Sequence, residues 1–160
     1  MNMNARIHYL SILKDPLTQN TQSSKISENI RTGLRDWILF REYWNPNDSM
    51  EEFAGKLGAT KDEIASYLRL RTGRKYLAIR KELRISDAQE LVVRNPGMAV
   101  YEIGRMVGIS DKSNFRKEFT EIVGVTPSSW RACGGSMIRY RVSLLQDTMR
   151  NHCLSARMHR

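Results

Sequence analysis

The sequence predicts an all-α protein of 160 residues, in which two helix-turn-helix subdomains are joined by a long central helix. Three observations lead to this prediction. Apolar residues recur at helical spacing, no segment alternates with the period of two that a strand needs, and a pattern of about fifty residues occurs twice. The composition agrees, since 41% apolar and 27% charged residues are typical of a globular chain that buries a core.

Residues 1–28 are expected to form a flexible lead-in, because Asn, Ser, Thr and Gln are frequent among them. One short helix near Ile7 to Leu13 fits within this stretch. Helical periodicity becomes clear from Ile30 onward, where apolar residues follow the spacing of a buried stripe. The Asn-Pro-Asn-Asp sequence at residues 45–48 predicts the end of that helix.

The first helix-turn-helix is predicted over about residues 49–72. Ser49 and Thr60 are each followed three residues later by Glu, which is the spacing of a capping box at a helix N-terminus. Gly58 lies between the two predicted helices, where a tight turn requires a positive φ. Two short helices joined by a glycine turn are therefore expected here.

The central helix is predicted over about residues 74–93, a stretch without Gly or Pro. A helix of 20 residues is about 30 Å long. Successive major grooves on one side of B-DNA are about 34 Å apart. This helix could therefore hold two DNA-reading motifs one helical turn apart, so that a monomer binds two adjacent grooves.

The second helix-turn-helix is predicted over about residues 99–122, where the first motif recurs. The pattern Phe53-Ala54-x-x-Leu57-Gly58 of the first copy becomes Ile103-Gly104-x-x-Val107-Gly108 in the second. Ala54 and Gly104 are the small residues expected where two helices cross closely, and Gly108 is the expected turn residue. Gly104 departs from the first copy, and a glycine inside a helix costs about 1 kcal/mol relative to Ala.

The charge distribution favours a polyanionic partner, with nucleic acid ahead of a membrane surface. Lys and Arg number 26 against 17 Asp and Glu, for a net charge of +9, and seven of the basic residues fall within residues 69–84. Residues 132–160 form a second basic segment, for which a helix over about 136–150 is predicted. The apolar stripe of that predicted helix consists of Ile138, Val142, Leu145 and Met149.

Several other classes of protein are excluded or disfavoured. Two cysteines, Cys133 and Cys153, cannot make a disulfide scaffold, and no apolar run approaches the ~20 residues of a membrane-spanning helix. His152 and Cys153 lack a second ligand pair at zinc spacing. No catalytic constellation or phosphate-binding glycine loop is evident. We therefore expect no enzyme activity, no cofactor and no metal, and a cytoplasmic, nucleoid-associated location.

One stretch of the second motif has a specific pattern. It runs Gly108-Ile109-Ser110-Asp111-x-Ser113-Asn114-Phe115-x-x-x-Phe119, and continues as Gly124-Val125-Thr126-Pro127-Ser128-x-Trp130-Arg131. Together with Thr60 to Gly73 and Leu83-Arg84-Ile85, this pattern resembles the DNA-binding domain of AraC/XylS-type bacterial transcription regulators. The resemblance covers about residues 31–131, within a domain at 29–131, and Leu34 to Tyr43 resembles Bacteroidetes versions.

The resemblance implies a sequence-specific regulator of transcription that binds double-stranded DNA, with RNA polymerase or another regulator as a further partner. The residues it implies at the DNA are Thr60, Lys61, Asp62, Ala65, Ser66 and Arg69 in the first motif, and Lys112, Ser113, Asn114, Arg116 and Lys117 in the second. Asn can bond adenine, and Lys can bond guanine or phosphate, so the second motif has the better chemistry for reading bases.

Two alternatives remain open at this point. The basic C-terminal segment could make the protein an interaction module, or an accessory protein that binds DNA without sequence readout by the first motif. Fewer than fifty residues precede the domain, so we expect either a DNA-binding domain on its own or a part of a longer sensor.

Overall fold

The computed structural model describes residues 4–14 and 23–136 of the chain. Within these residues it contains eight α-helices, one 3-10 helix at Glu42–Trp44 and no β-strand, which confirms the predicted all-α class. In chain order the α-helices are α1 (Ala5–Ile12), α2 (Ser23–Leu39), α3 (Met50–Leu57), α4 (Lys61–Thr72), α5 (Tyr76–Arg94), α6 (Val100–Met106), α7 (Lys112–Val123) and α8 (Pro127–Ala132).

The helices enclose two hydrophobic cores that share α5 as a common wall. The first core lies between α1, α2, α3, α4 and the first half of α5, and it includes Trp37 and Ile64. The second lies between the second half of α5, α6, α7 and α8, and it includes Phe115 and Phe119. On α5 itself, Leu83 belongs to the first core and Ile85 to the second, so both motifs pack on one helix.

Local sequence signals explain where the helices of the two motifs begin. The Thr60 hydroxyl accepts from Glu63 N–H while the Glu63 carboxylate accepts from Thr60 N–H, which is the predicted capping box. At Ser49 only half of the predicted capping box forms: its hydroxyl accepts from Glu52 N–H and caps α3. Thr126 caps α8 ahead of Pro127. These caps satisfy backbone N–H groups that a helix N-terminus leaves without partners.

The N-terminal region differs from the flexible lead-in that its composition suggested. Helix α1 occupies residues 5–12, close to the short helix considered near Ile7 to Leu13, and it packs against the domain. Tyr9 and Leu13 are almost fully buried, and the Tyr9 hydroxyl donates to Glu82 of α5 at 2.6 Å. Two apolar residues four positions apart supply one buried face, which is enough to dock so short a helix.

The predicted C-terminal helix over residues 136–150, with its apolar stripe, lies outside the described residues, which end at Ser136. No helix in the described part of the chain is long and apolar enough to cross a membrane.

Candidate nucleic-acid interface

Helix α7 is the second helix of the second motif, and the residues before it set its position. Gly108 has φ of +87° in the turn after α6, and Ile109 N–H then donates to the Gly104 carbonyl at 2.8 Å. The Asp111 carboxylate accepts from Asn114 N–H at 2.6 Å and caps α7. Gly104 lies so close to Phe115 that an added Cβ would be 2.8 Å from its ring. Helices α6 and α7 can thus cross this closely because Gly104 has no side chain.

The two faces of α7 have opposite character. Phe115 and Phe119 point into the second core and are at most 1% exposed. The residues expected at the DNA are all exposed, and they are Lys112, Ser113, Asn114, Arg116 and Lys117. The Asn114 side chain donates from Nδ2 to Glu118 Oε1 at 3.3 Å, a weak exposed bond that a base edge could replace. The helix therefore presents one continuous polar surface with three cationic side chains.

Helix α4 has the corresponding place in the first motif, but its surface is less basic. Of its expected site residues, Thr60, Lys61, Asp62, Ser66 and Arg69 are exposed, whereas Ala65 is half-buried. Lys61 Nζ lies 2.7 Å from Glu51 Oε1 of α3. This hydrogen bond raises the pKa of Lys61 above its ordinary value and lowers that of Glu51.

Ser66 lies at the border between α4 and α2. It lines a surface groove together with Ile26 of α2 and with Tyr67 and Leu70 of α4. Its side chain therefore faces a helix of the protein's own first core as well as the outer surface of the motif. Ser66 is nevertheless exposed, so its hydroxyl remains accessible to a DNA base.

The seven basic residues within 69–84 divide into two groups, which the sequence did not distinguish. Five of them are engaged within the protein: Arg71 donates to Ile12 O, Arg74 pairs with Glu82, Arg80 donates to Asp48 O, Lys81 pairs with Glu121, and Arg84 is buried. Arg69 and Lys75 are exposed and have no ion-pair partner within the described residues. Most of this cluster is consequently engaged in contacts within the protein.

One residue near α7 was not predicted as part of the site. Tyr101 of α6 is 45% exposed and lines a cavity of about 420 Å³ with Lys112, Arg116 and Ser128. A phenolic hydroxyl beside two cations can bond a phosphate oxygen. The sequence contained one indication of this role: Tyr101 is an aromatic residue on the polar side of α6, two positions before the buried Ile103.

A metal site is a separate question for this surface. Among residues 4–14 and 23–136, no group of three or more His, Cys, Asp or Glu side chains is placed to hold a metal ion.

Comparison with protein families identifies the domain. The family described as helix-turn-helix domain, of the AraC type, matches residues 53–132, half of the chain, and this range includes α5, the second motif and all of the first motif from the fourth residue of α3 onward. The chain belongs to the AraC-type helix-turn-helix family. It is therefore a DNA-binding transcription regulator, and its family is a regulatory one rather than a class of enzyme. The resemblance predicted from the sequence is confirmed.

Solved structures share the fold of this AraC-type domain. One is the C-terminal domain of AraT, a response regulator from Geobacillus stearothermophilus, with a TM-score of 0.58 and 19% identity, over 70% of this chain and 88% of that one. Another is the C-terminal domain of the two-component response regulator yesN from Fusobacterium nucleatum, with a TM-score of 0.57 and 20% identity, over 62% and 96%. Among curated proteins, none matches the chain.

Proposed function

We propose that this AraC-type protein binds double-stranded DNA sequence-specifically, with α4 and α7 in two adjacent major grooves. The observation that carries the proposal is the surface of α7, where all five expected site residues are exposed around the buried Phe115 and three of them are cationic. A helix with this surface, held at its base by buried aromatic residues, has the form of a recognition helix.

The dimensions of α5 support binding to two grooves by one chain. The helix has 19 residues and is therefore about 28 Å long. Both motifs pack on it through their own cores, so one rigid element carries both recognition helices. Since the groove repeat along B-DNA is about 34 Å, a monomer can reach two successive grooves from one side.

We propose that the two motifs divide the work of recognition. In the second motif, Asn114 has the donor and acceptor pair that adenine requires, and Lys117 can reach guanine or phosphate. In the first motif, Lys61 is paired with Glu51, and Asp62 brings a negative charge towards the DNA phosphates. We therefore assign base reading mainly to α7 and positioning on the backbone mainly to α4.

The wider role that we propose follows from DNA binding. We propose that the protein regulates transcription through contact with RNA polymerase or with another regulator, and that it acts in the cytoplasm at the nucleoid. The alternative roles depend on the basic C-terminal segment, of which residues 137–160 lie outside the described residues. We do not propose these roles, and the experiment below distinguishes them from sequence-specific binding.

The test is selection of bound sequences from a random DNA pool by the full chain, followed by footprinting of the selected site. We expect protection of two successive major grooves on one side of the duplex. Protection of a single groove would contradict binding by both motifs. Selection of no preferred sequence, with retained affinity for any duplex, would instead favour the non-specific accessory role.

A charge-reversal pair shows whether α7 is the contact surface. Lys117→Glu should abolish binding to the selected site, because it places a carboxylate against base edges or phosphates. Arg94→Glu is the matched control: Arg94 is an exposed cation at the C-terminal end of α5, and it pairs with Glu90 instead of facing the proposed interface. Equal loss of binding in both variants would show that net charge, and not α7, determines affinity.

A further inference from the structure

We propose that residues 41–45 are a brace that fixes the orientation of the two motifs relative to each other and so sets the DNA spacing that the protein accepts. Arg84 and Asp87 of α5 are the positioning residues that hold this brace. The spacing part of the proposal rests on the proposed two-groove binding, whereas the orientation part does not. The brace precedes residues 53–132, the region that matches the family.

Arg84 connects the brace to the second motif. Its side chain is only 7% exposed, and it donates to the Tyr43 carbonyl at 2.5 Å, the Asn45 carbonyl at 2.8 Å and the Gly108 carbonyl at 3.0 Å. Burial lowers the pKa of Arg84 to about 10, so the guanidinium remains charged at neutral pH. A planar guanidinium with three carbonyl acceptors restricts the relative position of all three, because its donors have fixed directions.

Asp87 holds the same segment from one helical turn further along α5. Its Oδ2 accepts from the Tyr43 hydroxyl at 2.5 Å, from Trp44 Nε1 at 2.9 Å and from Arg41 Nε at 3.3 Å. The residue is 2% exposed. Residues three apart lie on one face of a helix, so Arg84 and Asp87 together grip residues 41–45 along their length.

The brace also contacts the turn of the second motif directly. An added Cβ at Gly108 would collide with the carbonyl of Trp44, so the two backbones are in close contact. The Trp44 ring packs partly buried against both hydrophobic cores, and it is the partly buried residue that they have in common. The turn glycine of the second motif is therefore needed both for its positive φ and for this approach.

The other end of the brace is fixed to the first motif. Residues 41–45 follow α2 after one residue, and Gly33 of α2 lies so close to Leu57 of α3 that an added Cβ would displace the methyl groups of that leucine. The two motifs are consequently joined twice, once by α5 and once by α2 with the brace. With two connections, one motif can twist or bend relative to the other less than it could on a single helix. The buried hydrogen bonds of the charged Arg84 and Asp87 side chains also tolerate little displacement.

The chain contains a chemically matched control in Asp48. Its Oδ2 accepts from the Tyr76 hydroxyl at 2.7 Å and from Trp37 Nε1 at 3.3 Å, and Arg80 lies beside it. These are the same types of partner, Tyr, Trp and Arg, that Asp87 has, but both aromatic partners of Asp48 lie in the first core, and Asp48 makes no hydrogen bond to the second motif within the described residues. Asp48→Asn should therefore weaken the fold without changing how the two motifs are oriented.

The orientation is measured without DNA, in the full chain, by the distance distribution between spin labels on α4 and α6. Leu70→Cys and Arg105→Cys, both at exposed positions, take the labels, and Cys133 and Cys153 are replaced with Ser. We expect a narrow distribution that broadens in Asp87→Asn and stays narrow in Asp48→Asn. If Asp87→Asn does not fold, Tyr43→Phe, which keeps the ring and removes the hydroxyl that donates to Asp87, decides. An unchanged distribution in the folded brace variant would overturn the proposal.

The consequence for DNA is measured with the selected site and with a copy that has one base pair inserted between its two halves. The insertion moves the second groove by about 3.4 Å, so wild-type affinity should fall by about tenfold, the loss of roughly one base contact. Asp87→Asn should reduce this discrimination, whereas Asp48→Asn should keep it. Absence of any DNA binding would refute the proposed function while leaving the distance result valid. Retained discrimination in Asp87→Asn would refute the brace.

Discussion

A single methyl group should have opposite effects on the two helices that precede the recognition helices. Gly55 in α3 and Gly104 in α6 are both interior helical glycines, and Ala54 is the residue that corresponds to Gly104 in the first motif. We expect Gly55→Ala to raise the free energy of unfolding and Gly104→Ala to lower it. The intrinsic gain in helix propensity is the same at both positions. The difference between the two changes in unfolding free energy therefore measures the cost of a methyl group where α6 crosses α7.

The structure gives the size of each effect. Replacing Gly with Ala inside a helix stabilises it by about 1 kcal/mol. At Gly55 a Cβ would meet nothing within 4 Å, so this gain should appear in full. At Gly104 a Cβ would lie 2.8 Å from Phe115 Cγ and 3.2 Å from the Ile109 carbonyl. Overpacking of this kind costs about 1–3 kcal/mol, which leaves a net loss of roughly 1 kcal/mol.

Phe115 cannot easily move away from the added methyl group. It is 1% exposed, and its ring lies edge-on against Phe119 at 5.8 Å. The double variant Gly104→Ala/Phe115→Leu should therefore lose less free energy than the sum of the two single variants, because the smaller side chain frees the space that the methyl group needs.

Chemical denaturation of the wild type and the four variants measures these free energies, and thermal unfolding checks them at about 2–4 °C per kcal/mol for a chain of this size. The reasoning is refuted if Gly104→Ala stabilises the protein as much as Gly55→Ala does. It is also refuted if the double variant shows simple additivity, since the contact with Phe115 would then have no energetic effect.

The remaining predictions concern DNA affinity and pH. Asn114→Ala should lose about 1–3 kcal/mol of discrimination at one base pair, measured by competition between the selected site and scrambled DNA, with affinity for scrambled DNA nearly unchanged. Arg69→Ala should reduce the slope of log affinity against log salt by about 0.9, since this exposed cation is free to bind phosphate. Glu51→Gln should tighten binding to all sequences, most clearly at low salt, because it releases Lys61; equal binding at low salt would contradict this. The capping bonds lower the pKa of Glu63 below its ordinary 4.5, so Glu63→Gln should reduce the melting temperature at pH 7 and have less effect as the pH falls through that lowered pKa.

The helices of both motifs could be predicted from the sequence because their signals are local. Thr60 and Glu63 are three residues apart, which is the reach of a capping box, and both of the bonds that this spacing predicts are present. The exposed face of α7 followed from helical periodicity, since Phe115 and Phe119 fix which side is buried. Signals of this kind need no knowledge of the rest of the chain.

Interactions between distant residues could not be predicted in the same way. Arg84 was counted with a basic surface cluster, but it is buried and bonds residues 24, 39 and 41 positions away. A partial signal was present, because Leu83 and Ile85 on either side of it are both fully buried. A charged residue between two buried positions lies on a helix face that packs against another part of the protein. The sequence does not show which carbonyl groups accept hydrogen bonds from it.

The same limitation applies to the first recognition helix. Lys61 has the position of a DNA contact by helix register, but its partner Glu51 lies ten residues earlier, on the other helix of the motif. Only the angle between α3 and α4 brings the two charges within 2.7 Å. Helical periodicity therefore predicted which positions of α4 are exposed, but it could not show that Lys61 forms an ion pair with Glu51.

The two motifs thus share a backbone geometry but have different electrostatics. A DNA phosphate that approaches α7 meets Lys112, Arg116 and Lys117, none of which has an ion-pair partner within the described residues. A phosphate that approaches α4 must compete with Glu51 for Lys61 and is repelled by Asp62. Counterion release, which drives nucleic-acid binding, is consequently larger for the second motif. In the mode of binding that we propose, the brace and α5 keep the two helices in one orientation, so attachment through α7 brings α4 to the neighbouring groove. There the less basic surface of α4 has only to keep the protein in position on the DNA backbone.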